Sequence, residues 1–259
     1  VRLPWLLRGL RDGVVTTGWP ARPDDYFDQF PVTPVPTGQP ITDTAGMDAA
    51  ELEALCPTGA INVAADTITL DRGRCIACGR CVTQRPDLFA WRPGSDVARA
   101  ERDMLIADAA PAAPLPRLRA DIAERTTMLR RSVHIRHVDA GSDGSDEWEV
   151  RALLNPVYDV HRLGIFFTAS PRHADILLIT GIGSPGMILP LARTRAAMPD
   201  PVVVIATGTD AVSGGLVGPG MGVARLLPVD VFVPGAPAPP FALLHGILLA
   251  LGRLPRGDS

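Results

Sequence analysis

The sequence predicts an α/β protein, a parallel sheet with helices on both faces, joined to a separate cysteine-bearing unit. Two observations predict it. From residue 132 onward, apolar strand-like runs at 133–138, 164–168, 176–180 and 202–206 alternate with helical runs at 147–154, 188–197 and 241–251. Strands separated by helices form parallel sheets covered on both sides. All four cysteines fall between Cys56 and Cys81, outside that alternating region. A length of 259 residues is consistent with two domains.

Taken in order, residues 1–45 predict an amphipathic helix and an extended arm. Leu3, Leu6, Leu7, Leu10 and Val14 recur at helical spacing, with Arg2, Arg8 and Arg11 mostly off the stripe. Such a helix can lie on a membrane surface, on a partner subunit or on its own domain. Residues 18–43 are rich in Pro, Asp and Thr and read as extended. Residues 46–95 form the cysteine unit, and residues 96–131 a linker containing one Arg-rich helix at 117–131. Residues 132–259 form the α/β domain.

Composition narrows the function. A net charge of −3 and 46% hydrophobic residues describe a folded chain rather than a disordered or nucleic-acid-binding one. Every basic residue is Arg, which reflects codon bias more than guanidinium chemistry. The apolar run at 241–251 is interrupted by His245 and too short to span a bilayer. No signal-peptide pattern is visible at the N-terminus. Clustered cysteines without an export signal favour metal or redox chemistry over disulfides.

"CIACGRC" places Cys75, Cys78 and Cys81 at intervals of three, and "LCPTGAI" supplies a remote Cys56 followed by Pro57. Three thiolates in one tight loop plus a remote Cys-Pro suit an iron–sulfur cubane. Zinc is the alternative, but it usually takes two separated Cys-x-x-Cys knuckles. Here the sequence resembles bacterial ferredoxins with two 4Fe–4S clusters, in which the fourth Cys of each run ligates the other cluster. Cys56 matches the fourth Cys of the first run, and Cys75, Cys78 and Cys81 the first three of the second. Gly46, Ala49 and Leu52 occupy the other first-run positions, and Arg85 stands where the last Cys would be. All four ligands of one cluster are thus absent and all four of the other present. The resemblance implies a ferredoxin-like α+β domain holding one 4Fe–4S cluster.

"RRSVHIRHVDAGS", "NPVYDVHRLGIFFTASPRHADILLITG" and "PVDVFVPGAP" resemble the small electron-transfer subunit of membrane-bound energy-converting nickel–iron hydrogenases and its complex I relative, over about residues 130–254. "LLRGLRDGVVTTGWPARPD" resembles the start of the ferredoxin-type subunit of the same complexes, so the chain reads as a fusion of the two. The resemblance implies a flavodoxin-like doubly wound domain. In that family four cysteines, in G-x-C-x-x-C-E, G-x-C and P-G-C-P, hold a 4Fe–4S cluster at the carboxyl ends of the strands. The corresponding positions here are Asp143, Asp146, Asp210 and Ala236. The loop "HVDAGSDGSDEWEV" at 137–150 is therefore a cluster cradle with its ligands replaced. Carboxylates suit a sulfide-rich cluster poorly, so none is expected there. A hard cation on Asp143, Asp146 and Asp210 is one alternative, although such sites usually supply more oxygens. Acids hydrating a vacated pocket is the other.

Other motifs carry less. "GIGSPG" at 181–186 fits G-x-G-x-x-G, but no acid ends a second strand about twenty residues on. His134, His137, His161, His173 and His245 show no metal spacing, and nothing suggests a nucleophile or bond-making catalysis. The expected function is an iron–sulfur electron-transfer subunit of a peripheral complex on the cytoplasmic face of the membrane. Its implied partners are a hydrogenase- or complex I-type large subunit and membrane-embedded ion-translocating subunits, with no nucleic acid. The alternative is a scaffold subunit whose α/β half no longer relays electrons.

Overall fold

The computed structural model describes residues 4–41, 48–64, 67–108, 132–218 and 220–254. The predicted helix at 117–131 and Gly46 lie outside them.

The first half contains α1 (Trp5–Asp12), α2 (Asp25–Gln29), β1 (Thr33–Pro36), α3 (Ala49–Ala54), β2 (Ile61–Ala64), β3 (Thr67–Asp71), α4 (Arg80–Gln84), β4 (Phe89–Arg92) and β5 (Ile106–Ala107). No residue of α1 is buried, and Trp5, Leu6, Leu7 and Leu10 are all exposed. The helix therefore does not pack onto its own domain. The stretch that reads as extended instead folds in two places. Asp24 caps α2 by accepting from the Tyr26 and Phe27 N–H groups. Phe27 then stacks on Trp19 at 4.4 Å between ring centres, and both meet Phe241 edge-on. Further along, β1 pairs antiparallel with β4 although it holds Pro34 and Pro36. Among the described residues this sheet has two strands only, so there the missing donors of proline face no second strand. A second sheet has the order β2-β3-β5, antiparallel throughout.

The second half contains β6 (Val133–Asp139), α5 (Ser145–Ala152), β7 (Ile165–Phe167), β8 (Ile176–Thr180), α6 (Ile188–Ala197), β9 (Val203–Thr207), α7 (Gly208–Ser213), β10 (Val231–Val233) and α8 (Pro240–Ala250). The five strands lie parallel in the order β10-β9-β8-β6-β7. Counted within this half the order is 5-4-3-1-2, the flavodoxin-like arrangement, with its switch point between β6 and β8. Every residue of β8 and β9 is buried, which explains their unbroken apolar runs. Helix α8 is apolar on all sides because the sheet lies on one side and Trp19 and Phe27 on another; every residue of it is buried.

The halves are joined by hydrogen bonds as well as packing. Thr17 N–H donates to the Val157 carbonyl at 2.8 Å. Arg99 forms an antiparallel bridge to Phe232, so residues after β4 cover the β10 edge. Beside it, buried His245 accepts from the Ala98 N–H at 3.3 Å, a structural contact. Burial holds its imidazole neutral, with the pKa pushed down to about 3.

Candidate functional site

The thiol loop begins at the end of β3. Asp71 caps the turn by accepting from Gly73 N–H at 2.9 Å, and Arg102 grips the same carboxylate with two bonds of 2.8 and 2.7 Å. The chain then turns through Ala77 (φ 51°) and Gly79 (φ 70°), one left-handed residue in each Cys-x-x-Cys interval. These reversals swing Cys78 and Cys81 toward Cys75, with Cys81 on α4. Cys56 arrives from the other direction, at the end of α3. Asp48 and Glu51 form a reciprocal capping box there, and Leu52 anchors the helix in the core.

All four cysteines line one pocket, walled by Leu55, Pro57, Ile61, Leu70 and Ile76. Backbone N–H groups point at two of the sulfurs: Ala60 donates to Cys56 Sγ at 3.2 Å and Ala77 to Cys75 Sγ at 3.4 Å. Burial pushes the Cys75 thiol up to about 12, and the other three cysteines add to the effect. Burial also raises Cys81, with Cys56 and Cys78 contributing. Such thiols stay protonated unless a metal centre supplies positive charge. Among the described residues no three Cys, His, Asp or Glu side chains are arranged to hold a single metal ion. That holds for Asp143, Asp146 and Asp210 as for the thiols. Arg85 is buried and paired with Asp87 at 2.7 Å.

Asp146, Asp210 and Ala236 lie beyond the carboxyl ends of β6, β9 and β10, and Asp143 precedes α5. Asp143 is exposed and turned onto its own loop, accepting from Ser145 N–H and Oγ at 2.9 and 2.6 Å. Those bonds lower its pKa. Asp146 is 4% exposed, and its Oδ1 accepts from the Ala238 N–H at 2.9 Å. Burial raises its carboxyl to about 7, with Glu147, Asp210 and Asp143 adding repulsion. Burial raises Asp210 as well, helped by Asp143 and Glu147. Asp146 fits only because residue 208 lacks a side chain: a Cβ on Gly208 would stand 1.9 Å from Asp146 Oδ2, and its φ is +82°. Gly208→Ala is therefore expected to cost about 3 kcal/mol, from left-handed strain and overpacking together. Urea unfolding of the variant checks this; an unchanged midpoint would contradict it.

Three further residues complete the region and were not singled out by the sequence. Thr209 Oγ1 stands 2.9 Å from the Cys75 carbonyl and 3.1 Å from that of Gly235, tying the thiol loop to the loop of Ala236. No motif marks such a residue, because its partners are backbone groups. Thr180 donates to Glu147, which also accepts from Ser142 Oγ at 2.6 Å; His137 Nε2 lies 3.0 Å from Thr180 Oγ1. Glu147 stands where the motif G-x-C-x-x-C-E carries its Glu, which was the available signal. The "GIGSPG" loop is filled by protein. A Cβ on Gly181 would lie 2.6 Å from the backbone of Gly141, and Arg225 donates to the carbonyls of Ile182 and Gly183. Gly181 and Gly183 serve close packing, whereas Gly186 faces open space.

Comparison with known proteins bears on the α/β half. Residues 144–250 match the family model described as NADH ubiquinone oxidoreductase, 20 Kd subunit. The chain is 39% identical over 142 residues to the probable membrane-bound hydrogenase subunit mbhJ of Pyrococcus furiosus, covering 53% of this chain and 85% of that one. It is 40% identical over 130 residues to formate hydrogenlyase subunit 7 of Escherichia coli, covering 49% of this chain and 51% of that one. It is 42% identical over 103 residues to an NADH-quinone oxidoreductase subunit of Rubrobacter xylanophilus, covering 38% of this chain and 41% of that one. The chain thus spans about half the length of the second of these and less of the third. With most of the first covered at that identity, the chain belongs to the NADH ubiquinone oxidoreductase 20 Kd subunit family.

Proposed function

We propose that the chain is an iron–sulfur electron-transfer subunit of a membrane-associated, hydrogenase-like or complex I-like complex. It carries one 4Fe–4S cluster on Cys56, Cys75, Cys78 and Cys81, in a ferredoxin-like domain fused to the α/β half. The observation that carries this reading is the single pocket lined by all four thiols. Apolar walls shield the buried side of the pocket at Cys75, and N–H groups directed at sulfur are among the features that set a cluster's potential. A cubane gives each thiolate its own iron, so it does not need the convergence on one point that zinc requires. When bound, the cluster supplies one-electron transfer. The chain's own residues gather the thiols at one pocket, wall it with apolar side chains and offer N–H donors to Cys56 and Cys75.

The α/β half contains no cysteine, and Asp146 and Asp210 stand where the related motif holds thiolates. This half is accordingly a scaffold that no longer relays electrons through a cluster of its own. Peripheral attachment at the cytoplasmic face of the membrane fits a chain whose described residues include no helix long and apolar enough to cross a bilayer. The partners on this reading are a hydrogenase- or complex I-type large subunit and membrane-embedded ion-translocating subunits.

Iron and acid-labile sulfide analysis of the anaerobically purified chain tests the proposal. About four of each per chain are expected. About eight would place a second cluster in the α/β half, and zinc without sulfide would overturn the cluster altogether.

A further inference from the structure

A cavity of about 1070 Å³ opens between the N-terminal arm, the thiol loop and the α/β half. Its wall includes Ala77, between Cys75 and Cys78, and Ala236, at the former ligand position. Six large apolar side chains lining it stand exposed: Val14 at 90%, Val15 at 56%, Tyr26 at 78%, Phe30 at 48%, Trp91 at 39% and Val157 at 44%. Exposed apolar side chains gathered at one mouth mark a binding surface.

Charge decides what the surface binds. Two carboxylates, Asp24 and Glu149, line the cavity, and among the described residues no Arg or His does. Asp24 is already engaged by Thr17 Oγ1 at 2.6 Å and by the start of α2. Glu149 has no hydrogen bond or ion pair among the described residues, and burial raises its pKa. Ser95, which is fully buried, also lines the cavity, and its hydroxyl has no partner among the described residues. An apolar-lined cavity holding an uncompensated carboxylate and an idle hydroxyl is complementary to a cation carried on an apolar body. A small amine would leave the six apolar side chains in water. A polypeptide segment covers them while delivering the charge.

We infer that this cavity seats a segment of a partner subunit, which lays apolar side chains over Val14, Val15 and Val157 and sets a Lys or Arg against Glu149. The inference rests on the reading of the chain as one subunit of a complex and locates where that complex is joined. Seated there, the segment covers the thiol loop at Ala77 and the loop of Ala236 together, excluding water from both.

The test uses the native complex purified through a tag on this chain. Glu149→Arg and Val157→Asp should each lower the partner subunit recovered with the tagged chain about tenfold, while iron content and circular dichroism stay unchanged. A benzophenone photocrosslinker at position 26 should link to a peptide of another polypeptide that contains Lys or Arg. Full recovery of the partner with both variants would overturn the inference. So would cross-links confined to this chain, to a second copy or to lipid. If the unaltered chain purifies alone, the reading of it as a complex subunit fails and the inference falls with it; loss of partner in the variants alone sustains both.

Discussion

Cys75→Ala should leave the purified chain with essentially no bound iron or acid-labile sulfide. Of the four cysteines Cys75 is the buried one, whereas Cys78 is exposed and Cys56 and Cys81 are half-buried. It belongs to the same buried apolar cluster as Leu55, Ile61 and Leu70, so solvent is poorly placed to replace a missing thiolate there. The same burial makes its free thiol a poor acid, so the site is stable in the thiolate form only with metal charge beside it. Loss of this ligand differs from loss of Cys78, whose position is open to solvent that could take the vacant iron coordination. Cys78→Ala should therefore keep part of its iron, where Cys75→Ala keeps none. The backbone around Cys75 ought to survive, since Thr209 bonds to its carbonyl and not to its sulfur. Retention of circular dichroism with loss of the visible absorption band would separate loss of ligand from loss of fold. Equal iron in Cys75→Ala and the unaltered chain would place the metal elsewhere.

Much of this was legible in the sequence where burial writes a composition. The run at 176–180 coincides with β8 because a strand buried on both faces needs apolar residues throughout. The run at 241–251 marks α8 for the same reason, with a second layer of aromatic residues on its outer side. Short elements left no such trace. Strand β10 has three residues and α7 six, too few for any periodicity to emerge. The pairing of β1 with β4 was hidden by two prolines that propensity alone would exclude from a strand. In the site, the spacing of the cysteines announced a shared purpose, because loop geometry and thiol chemistry both depend on residue type. The Thr209 bridge depends on a carbonyl that every residue carries, so the sequence holds no signature of it. The depth of Asp146 was hidden too: its burial is set by Gly208, at the start of α7, and Ala238, in the loop before α8.

Asp146 should make the stability of the fold fall as pH rises from about 4 to about 7. Its folded pKa is about 7, against 3.8 for the ordinary carboxyl. Between those values the folded chain holds a proton that the unfolded chain has released. The contribution to stability is therefore complete below about pH 4 and lost as pH climbs through the folded value. A shift of that size corresponds to a loss on the order of 4 kcal/mol at most, at about 1.4 kcal/mol per unit. Asp146→Asn mimics the protonated carboxyl and keeps an oxygen for the Ala238 N–H, so its stability should lack this slope. Asp210 is raised as well and slopes the same way, while Asp143 is lowered and slopes the opposite way at more acid pH. Both groups remain in the variant, so the difference between the two proteins isolates Asp146. Urea unfolding at pH 5 and pH 8, with metal content matched, should show the variant gaining on the unaltered chain by a few kcal/mol across that interval. A difference that stays constant from pH 5 to pH 8 would mean that Asp146 ionises as it does in water and that water reaches it, contrary to the closed packing of Gly208 and Ala238 around it.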